Sequence, residues 1–426
     1  MSQTITRLRD LSKHQVQSGL AAWLGWLFDG LDMHIYTLVA TPFVAALLHL
    51  QATPNDPQVG YYGAIINAGF LMGWAFGGAI FGRIGDLLGR SRTLVLTILT
   101  YACFTGLSVF ATTWWHLLIC RFVSALGIGG EWAVGASLLS ETWPKAWRPW
   151  IAATLQCAVN VGVLIACLAG ELMQNLEPRW IFLVGILPAL VTLWIRKAVP
   201  ETEEWTAARQ QADAKPPRIR ELFAPGVSHI TWRVLVICGV SLTAHWALLF
   251  WFQADLRNLP EIRGLDVAGK NHATVMALFS MMLGSLIGNF TAGALAKWLG
   301  YRNAIVLMLA AYFGCMMGAY GREWSYEAHL YWLAALGLFQ GVFSLFTMCL
   351  PPLFPTLLRT TGAGFCYNFG RVAAAAGTVF FSLFVTVGDF RHALLYAGLL
   401  FIPATLVAFL LPEEKEQDDV VEALLE

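Results

Sequence analysis

The chain has 426 residues, of which 57% are hydrophobic and 13% are charged. The charged share is about half that of an ordinary soluble protein, which excludes a fold whose whole surface faces water. Lysine plus arginine and aspartate plus glutamate number 27 each, so no overall basic surface for nucleic acid is present. We therefore expect the lipid bilayer to be the solvent of this protein.

The N-terminal tail and the cysteines indicate no processing or metal chemistry. Residues 1–19 are polar and show no cleavage pattern, so we expect no removable signal peptide and an uncleaved first span. The eight cysteines all fall in apolar stretches, and none are spaced as CxxC. They are expected to be small buried hydrophobic residues, without a disulfide framework, metal site or cofactor.

Twelve apolar stretches are long enough to cross a membrane as helices, which takes about 20 residues each. A barrel would show short segments of alternating polarity instead. The first stretch contains Pro42, so we expect it to bend or to project beyond the bilayer. Numbered 1 to 12, the predicted spans cover residues 18–48, 60–81, 93–112, 115–140, 151–173, 180–199, 231–254, 272–293, 303–320, 328–350, 362–386 and 391–411.

Positive charge is distributed unequally between the two sides of these spans. Nineteen lysines and arginines lie on the side of the termini and six on the other side, while Arg121 and Arg371 lie within spans. The positive-inside rule predicts an inner-membrane protein with both termini in the cytoplasm. The long polar stretch 200–230 is interpreted as a cytoplasmic linker between residues 1–199 and 231–426.

The two halves of the chain repeat each other at an offset of 211 residues, the separation of Gly82 and Gly293. Chance could supply one or two such matches, but five at corresponding loops and spans indicate parallel six-helix repeats. Repeats of this kind predict a transporter whose binding site lies between the halves. The five matched pairs are Gly82 with Gly293, Gly89 with Gly300, Gly130 with Gly341, Pro144 with Pro355 and Arg148 with Arg359.

Three segments carry motifs. Residues 82–92 read GRIGDLLGRSR, residues 121–131 read RFVSALGIGGE, and residues 353–362 read LFPTLLRTTG. They resemble the signature loop after span 2, the span 4 motif and the loop 10–11 element of the major facilitator superfamily. In the second-half copy of the signature loop, Lys297 replaces the acid and Tyr301 the first arginine. The defining residues of the first copy are Gly82, Asp86, Gly89, Arg90 and Arg92.

Within the superfamily, further motifs are similar to those of proton-coupled organic-acid symporters. They are DGLD at 29–32, GGEW at 129–132, and PE at 200–201 followed by EW at 204–205. The closest likeness is to the sialate:proton symporter family of sialic acid and monocarboxylate permeases, and related metabolite:proton symporters share much of the pattern.

The resemblance implies an all-helical membrane protein with twelve transmembrane helices in two pseudo-symmetric six-helix bundles, functional as a monomer. Spans 1, 4, 7 and 10 are expected to line the pathway. Asp86 is expected to meet the N-terminal end of span 11, so that the residues of the signature loop latch one conformation without touching the substrate. The alternative is that the arginines of this loop serve only to hold it on the cytoplasmic side, as the positive-inside rule describes.

Charged side chains inside the predicted spans are the candidate functional groups. Each costs about 2.5–3.5 kcal/mol near the bilayer centre, so it is expected to face a cavity or to pair. Asp29 and Asp32 share a helix face, and two close carboxylates in a low dielectric resist double ionisation. Asp29 is therefore the first candidate for proton coupling, with Asp32 and Glu131 as further ones. The alternative is that an acid of span 1 pairs with a basic residue.

Arg121 and Arg371 are the candidate anion-binding groups, because a guanidinium presents a planar fork to a carboxylate. A structural ion pair is the alternative for Arg121. In the repeat, Arg371 corresponds to Asn160 and Tyr367 to Gln156, which predicts either a two-sided clamp on an anion or helix–helix hydrogen bonds. Further candidates for the substrate site are Asn368, His245 and Gln340.

Together these features predict a secondary transporter that moves a small organic anion, such as lactate, pyruvate or sialic acid, with protons by alternating access. The motifs GxxxxGK[ST], HExxH and GxSxG are all absent, so we expect no ATP site and no enzyme activity. The alternative is a transporter of a sugar, an aromatic acid or a drug, by symport or by facilitated diffusion. The expected partners are the anion, protons and the bilayer, without nucleic acid.

Overall fold

The structure, a computed structural model, describes residues 10–50, 57–173, 176–211, 218–384 and 390–412. Throughout these ranges the regular elements are helices. Several predictions fall partly outside the described residues. They are the absence of a signal peptide (residues 1–9), the end of span 11 (385–386), part of the linker (212–217) and the C-terminal tail (413–426).

The twelve-span fold predicted from the sequence is confirmed. Spans 1 to 6 are Lys13–Leu47, Pro57–Leu88, Arg90–Leu107, Trp114–Thr142, Arg148–Leu172, and a 3-10 helix Pro178–Ile186 continued by Pro188–Ala198. Spans 7 to 12 are Ser228–Asn258, Val267–Leu299, Tyr301–Tyr320, the pair Tyr326–Gln340 and Val342–Cys349, Arg359–Phe384, and the pair Phe390–Gly398 and Phe401–Ala408. Nine of the helices in the described ranges are long and apolar enough to cross a membrane; spans 1, 6 and 11 complete the set.

Short helices occupy the connections. Two of them, Glu203–Gln211 and the 3-10 helix Ile219–Phe223, lie in the stretch that joins the two halves. The division of the chain at 200–230 stays a prediction. The other short helices are Ser108–Phe110, Lys145–Trp147, Pro260–Arg263 and Pro351–Leu353.

The prediction of a loop over residues 82–92 is wrong in its extent. Span 2 continues to Leu88 and span 3 begins at Arg90, so Gly89 alone separates them. Gly89 has φ of 101°, and its repeat counterpart Gly300, between spans 8 and 9, has φ of 79°. A residue without Cβ adopts such angles at little cost, so a single glycine turns the chain between two helices. The motif is therefore mostly helical, and its side chains have fixed directions.

The repeat also appears in the helix packing. A Cβ at Gly73 or Gly77 of span 2 would lie 2.2 or 2.1 Å from a carbonyl oxygen of span 4. At their counterparts Gly284 and Gly288 in span 8, a Cβ would lie 2.0 Å from a carbonyl oxygen of span 10. Small residues let membrane helices approach closely and gain van der Waals contact. The two halves thus use the same pair of close helix contacts.

Candidate functional site

Arg371 of span 11 lies in an aromatic cluster to which both halves contribute. Its guanidinium carbon is 3.9 Å from the ring centroid of Trp74 in span 2, 5.9 Å from that of Trp246 in span 7 and 5.1 Å from that of Tyr367. Arg371 is 4% exposed. A desolvated cation–π contact contributes about 2 kcal/mol. The rings cover the faces of the guanidinium, so its in-plane N–H groups are the positions left for binding.

Only some of the N–H groups of this guanidinium have hydrogen-bond partners. Nη1 donates a hydrogen bond to Oδ1 of Asn368, whose amide nitrogen donates to the Gly129 carbonyl oxygen in the other half at 3.4 Å. Nε is buried without a hydrogen-bond partner. Within the described part of the chain, no carboxylate lies at ion-pair distance from Arg371, although Asp29 acts on it electrostatically. A buried cation with an unused donor suits an anionic ligand.

Trp132 of span 4 and Tyr367 of span 11 stack face to face next to Arg371. Their ring centroids are 3.7 Å apart and the planes differ by 5°. Nε1 of Trp132 and Nε1 of Trp74 are buried without hydrogen-bond partners. Because the two stacked rings come from opposite halves, they must separate when the halves part at this depth. Sequence reasoning did not identify Trp74, since a lone tryptophan in an apolar helix carries no signal.

Arg121 and Asp32 form a buried ion pair within the first half. Arg121 Nη1 lies 3.1 Å from Oδ2 of Asp32, and both side chains are 1% exposed. The Asp32 carboxylate also accepts hydrogen bonds from the hydroxyls of Thr105 and Ser124, and the guanidinium carbon of Arg121 lies 4.6 Å from the Phe70 ring centroid. Breaking such a pair from one side costs about 3–5 kcal/mol. The arrangement is that of the structural alternative, and a substrate role for Arg121 stays a prediction.

Asp29 and Glu131, by contrast, have no such partner. Asp29 is 6% and Glu131 0% exposed. Neither oxygen of Glu131, nor Oδ1 of Asp29, has a hydrogen-bond partner in the described structure. The charges of Glu131 and Asp32 both act on Asp29, as does that of Arg371. Asp29 therefore interacts electrostatically with both Glu131 of span 4 and Arg371 of span 11.

The remaining predicted site residues lie at several separate places. Asn160 of span 5 donates to Oγ of Ser285 in span 8 at 3.4 Å, a hydrogen bond between the halves. Nδ1 of His245 lies 2.9 Å from the Tyr312 hydroxyl. Gln340 is buried at the end of the first helix of span 10, and Gln156 is half-buried. Of these four residues, His245 adjoins the cluster around Arg371: its ring lies edge-on to that of Trp246, with centroids 6.1 Å apart, and Arg371 acts on it electrostatically. The roles of all four stay predictions.

Asp86 joins span 2 to the first residues of span 11. Its carboxylate accepts hydrogen bonds from the backbone N–H groups of Thr360 at 3.2 Å and Thr361 at 2.9 Å, and from the Thr361 hydroxyl at 2.5 Å. Arg90 Nη1 lies 3.0 Å from the same carboxylate. Gly82 packs against Thr360, where a Cβ would lie 2.8 Å from its carbonyl oxygen. We call the end of the bundle that holds these contacts the latch end.

Glu141 at the end of span 4 extends the network at the latch end, and sequence reasoning missed it. Its Oε1 lies 2.8 Å from Arg90 and 3.2 Å from Arg359, which also pairs with Glu204 of the linker helix at 2.6 Å. Glu201 accepts hydrogen bonds from the backbone N–H of Arg92 at 3.0 Å and that of its neighbour Ser91. Charged groups thereby join the first half, the linker and the second half; Arg90, Glu141 and Arg359 are buried, whereas Glu204 is exposed.

We expect Asp86→Asn to slow transport about tenfold while leaving substrate affinity nearly unchanged, because each hydrogen bond to a buried charge contributes about 1.5–3 kcal/mol and Asp86 is remote from Arg371. The measurements are initial uptake rate, ligand affinity, and the distance between spin labels on spans 2 and 11. Asp266→Asn is the matched control, since it makes the same change at an exposed helix cap. A large loss of affinity with an unchanged distance distribution would exclude the latch role.

Comparison with known proteins places this geometry in one family. The protein-family model described as "Major Facilitator Superfamily" matches residues 22–351 of this chain. The solved structure of the proton:xylose symporter XylE superposes with a TM-score of 0.76 at 16% identity, covering 97% of this chain and 99% of that one. The protein belongs to the major facilitator superfamily and is a multi-pass membrane transporter of metabolites.

Relatives in sequence agree with the resemblance that the motifs carry. The sialic acid transporter NanX of Escherichia coli (strain K12) is 28% identical over 381 residues, covering 87% of each chain. The cis,cis-muconate transport protein of Acinetobacter baylyi is 24% identical over 414 residues, covering 94% of each chain. This chain is similar to both along nearly its whole length.

Proposed function

We propose that the protein is a secondary active transporter that carries a small organic carboxylate together with protons. One observation supports this above the others. Arg371 is a buried arginine at the contact between the halves, its faces are covered by aromatic rings and its Nε lacks a partner. A carboxylate can bind such a guanidinium edge through charge-assisted hydrogen bonds, which are about twice as strong as neutral ones.

The substrates named for the two relatives support the same chemistry. Sialic acid and cis,cis-muconate are both carboxylic acids. The indole N–H groups of Trp74 and Trp132 lie in the same cluster and are unused. They supply two further donors for the polar groups of such an anion, because a buried donor without a partner is costly.

The acid pair of the first half supports coupling to protons. Asp29 acts electrostatically on both Arg371 and Glu131. A substrate carboxylate at Arg371 neutralises the cation that favours a negative Asp29. The pair Asp29–Glu131 then binds a proton more readily, so substrate and proton bind cooperatively. The carrier loaded with substrate and proton has a smaller net buried charge, so its change of conformation requires less free energy.

We further propose that the protein lies in the inner membrane with both termini and the latch end in the cytoplasm. The support is the excess of lysine and arginine on that side of the predicted spans. The contacts of Asp86 and Glu141 join the halves at this end. In this orientation the structure corresponds to a state that is closed towards the cytoplasm. The protein is also proposed to work as a monomer.

A thermal-shift panel on the purified protein tests the substrate class. Lactate, pyruvate and sialic acid are compared with benzoate and glucose, and at least one of the first three is expected to raise the melting temperature while glucose does not. A ligand at 100 times its dissociation constant adds about 2.7 kcal/mol to the stability of the folded state. Stabilisation by glucose alone would favour a sugar transporter, and stabilisation by benzoate alone an aromatic-acid transporter.

A further inference from the structure

The Glu131 side chain extends into a gap in span 1 that exists because residue 25 is glycine. A Cβ at Gly25 would lie 1.4 Å from Oε1 of Glu131 and 2.6 Å from its Cδ. An alanine at this position would thus place its methyl group where the carboxylate now lies. Glu131 is 0% exposed, and within the described residues neither of its oxygens has a hydrogen-bond partner.

Other titratable groups face the same pocket. Tyr101 of span 3 interacts with Glu131, is 0% exposed, and its hydroxyl has no hydrogen-bond partner in this arrangement. Asp29 lies one helical turn after Gly25 and acts on Glu131 through space. The charges that reach Asp29 are those of Asp32 on its own helix and Arg371 of span 11. Spans 1, 3, 4 and 11 thus all supply groups to this region.

A carboxylate in such a pocket is poorly suited to remain ionised. A buried charge without hydrogen bonds is strongly disfavoured, so the pocket favours the protonated form of Glu131. The Tyr101 hydroxyl interacts with the Glu131 carboxylate and is placed to donate a hydrogen bond to it when the proton leaves. Gly25 leaves the space in which the carboxylate lies, and Tyr101 supplies the hydroxyl that interacts with it.

We propose that Gly25 and Tyr101 are positioning residues that form a proton-binding pocket for Glu131, and that Glu131 and Asp29 hold one coupling proton between them. This rests on the proposed symport. It adds a buried group that interacts with Asp29, which in turn interacts with Arg371. Gly25 has no chemistry of its own, so its contribution is entirely the space that it leaves.

The test compares Gly25→Ala with the double variant Gly25→Ala/Glu131→Asp in proteoliposomes. The added methyl group should displace the Glu131 carboxylate, so that Gly25→Ala exchanges labelled substrate across the membrane but no longer accumulates it along a proton gradient. Aspartate is one methylene shorter and leaves room for the methyl group, so the double variant should recover accumulation. Gly314→Ala is the control, because a Cβ at Gly314 meets no atom within 4 Å.

The outcomes separate this pocket from the symport proposal. If the wild-type protein takes up substrate without any substrate-induced proton uptake, the symport proposal fails and the pocket with it. Suppose instead that the wild-type protein couples substrate uptake to proton uptake. The pocket proposal alone is then overturned if Gly25→Ala accumulates substrate normally, or if the double variant Gly25→Ala/Glu131→Asp does not recover accumulation. Should Gly25→Ala fail to fold, Glu131→Gln decides: retained accumulation in that isosteric variant overturns the proposal, and exchange without accumulation supports it.

Discussion

Replacing Arg371 with alanine is expected to lower carboxylate uptake by about two to three orders of magnitude, since truncating one partner of a buried charge pair costs about 2–5 kcal/mol. The protein should still fold, because Arg371 makes no ion pair with a described carboxylate whose loss would leave a second charge unpaired. Uptake of radiolabelled substrate and the thermal shift with the same ligand measure the effect.

Two further variants make this result specific. Arg371→Lys keeps the charge but loses the planar fork and much of the stacking on Trp74, so we expect it to recover only part of the uptake. Arg322→Ala is the matched control, because Arg322 also stacks on a tryptophan, with its guanidinium carbon 3.6 Å from the Trp324 ring centroid, but is exposed. Undiminished uptake by Arg371→Ala would remove Arg371 from the substrate site.

Asp29→Asn should uncouple transport from the proton gradient without preventing transport. The amide has nearly the size of the acid and imitates its protonated form, so the variant should bind substrate and exchange it across the membrane. It should fail to concentrate substrate, because the electrostatic link between Arg371 and Glu131 is lost. Counterflow exchange and gradient-driven accumulation, measured on the same proteoliposomes, separate the two properties.

Two comparisons qualify the Asp29 result. Asp266→Asn is the control: Asp266 is an exposed helix cap, and asparagine caps helices as well as aspartate does. Glu131→Gln should behave like Asp29→Asn if the two acids share one proton. Full gradient-driven accumulation in Asp29→Asn, with accumulation lost in Glu131→Gln, would place the coupling proton on span 4 alone.

The architecture of this protein follows from its amino-acid sequence. A chain with 57% hydrophobic residues and twelve long apolar stretches must satisfy its backbone polar groups within helices, because lipid offers no hydrogen bonds. The constant offset between the halves predicted the pseudo-symmetry that the glycine contacts of spans 2 and 8 display. Charged residues inside a membrane are few and costly, so the sequence also predicted Asp29, Glu131 and Arg371 as candidate functional residues.

Which of these charged side chains pair with each other depends on the tertiary packing and does not follow from the sequence. Asp32 and Arg121 lie 89 positions apart, and their pairing depends on how spans 1 and 4 are rotated against each other. The hydrophobic pattern of a membrane helix does not set this rotation, since lipid and protein interior are equally apolar, and close packing at small residues sets it instead. The same packing brings Trp74 to Arg371 and Trp132 to Tyr367, and leaves at Gly25 the space that Glu131 occupies.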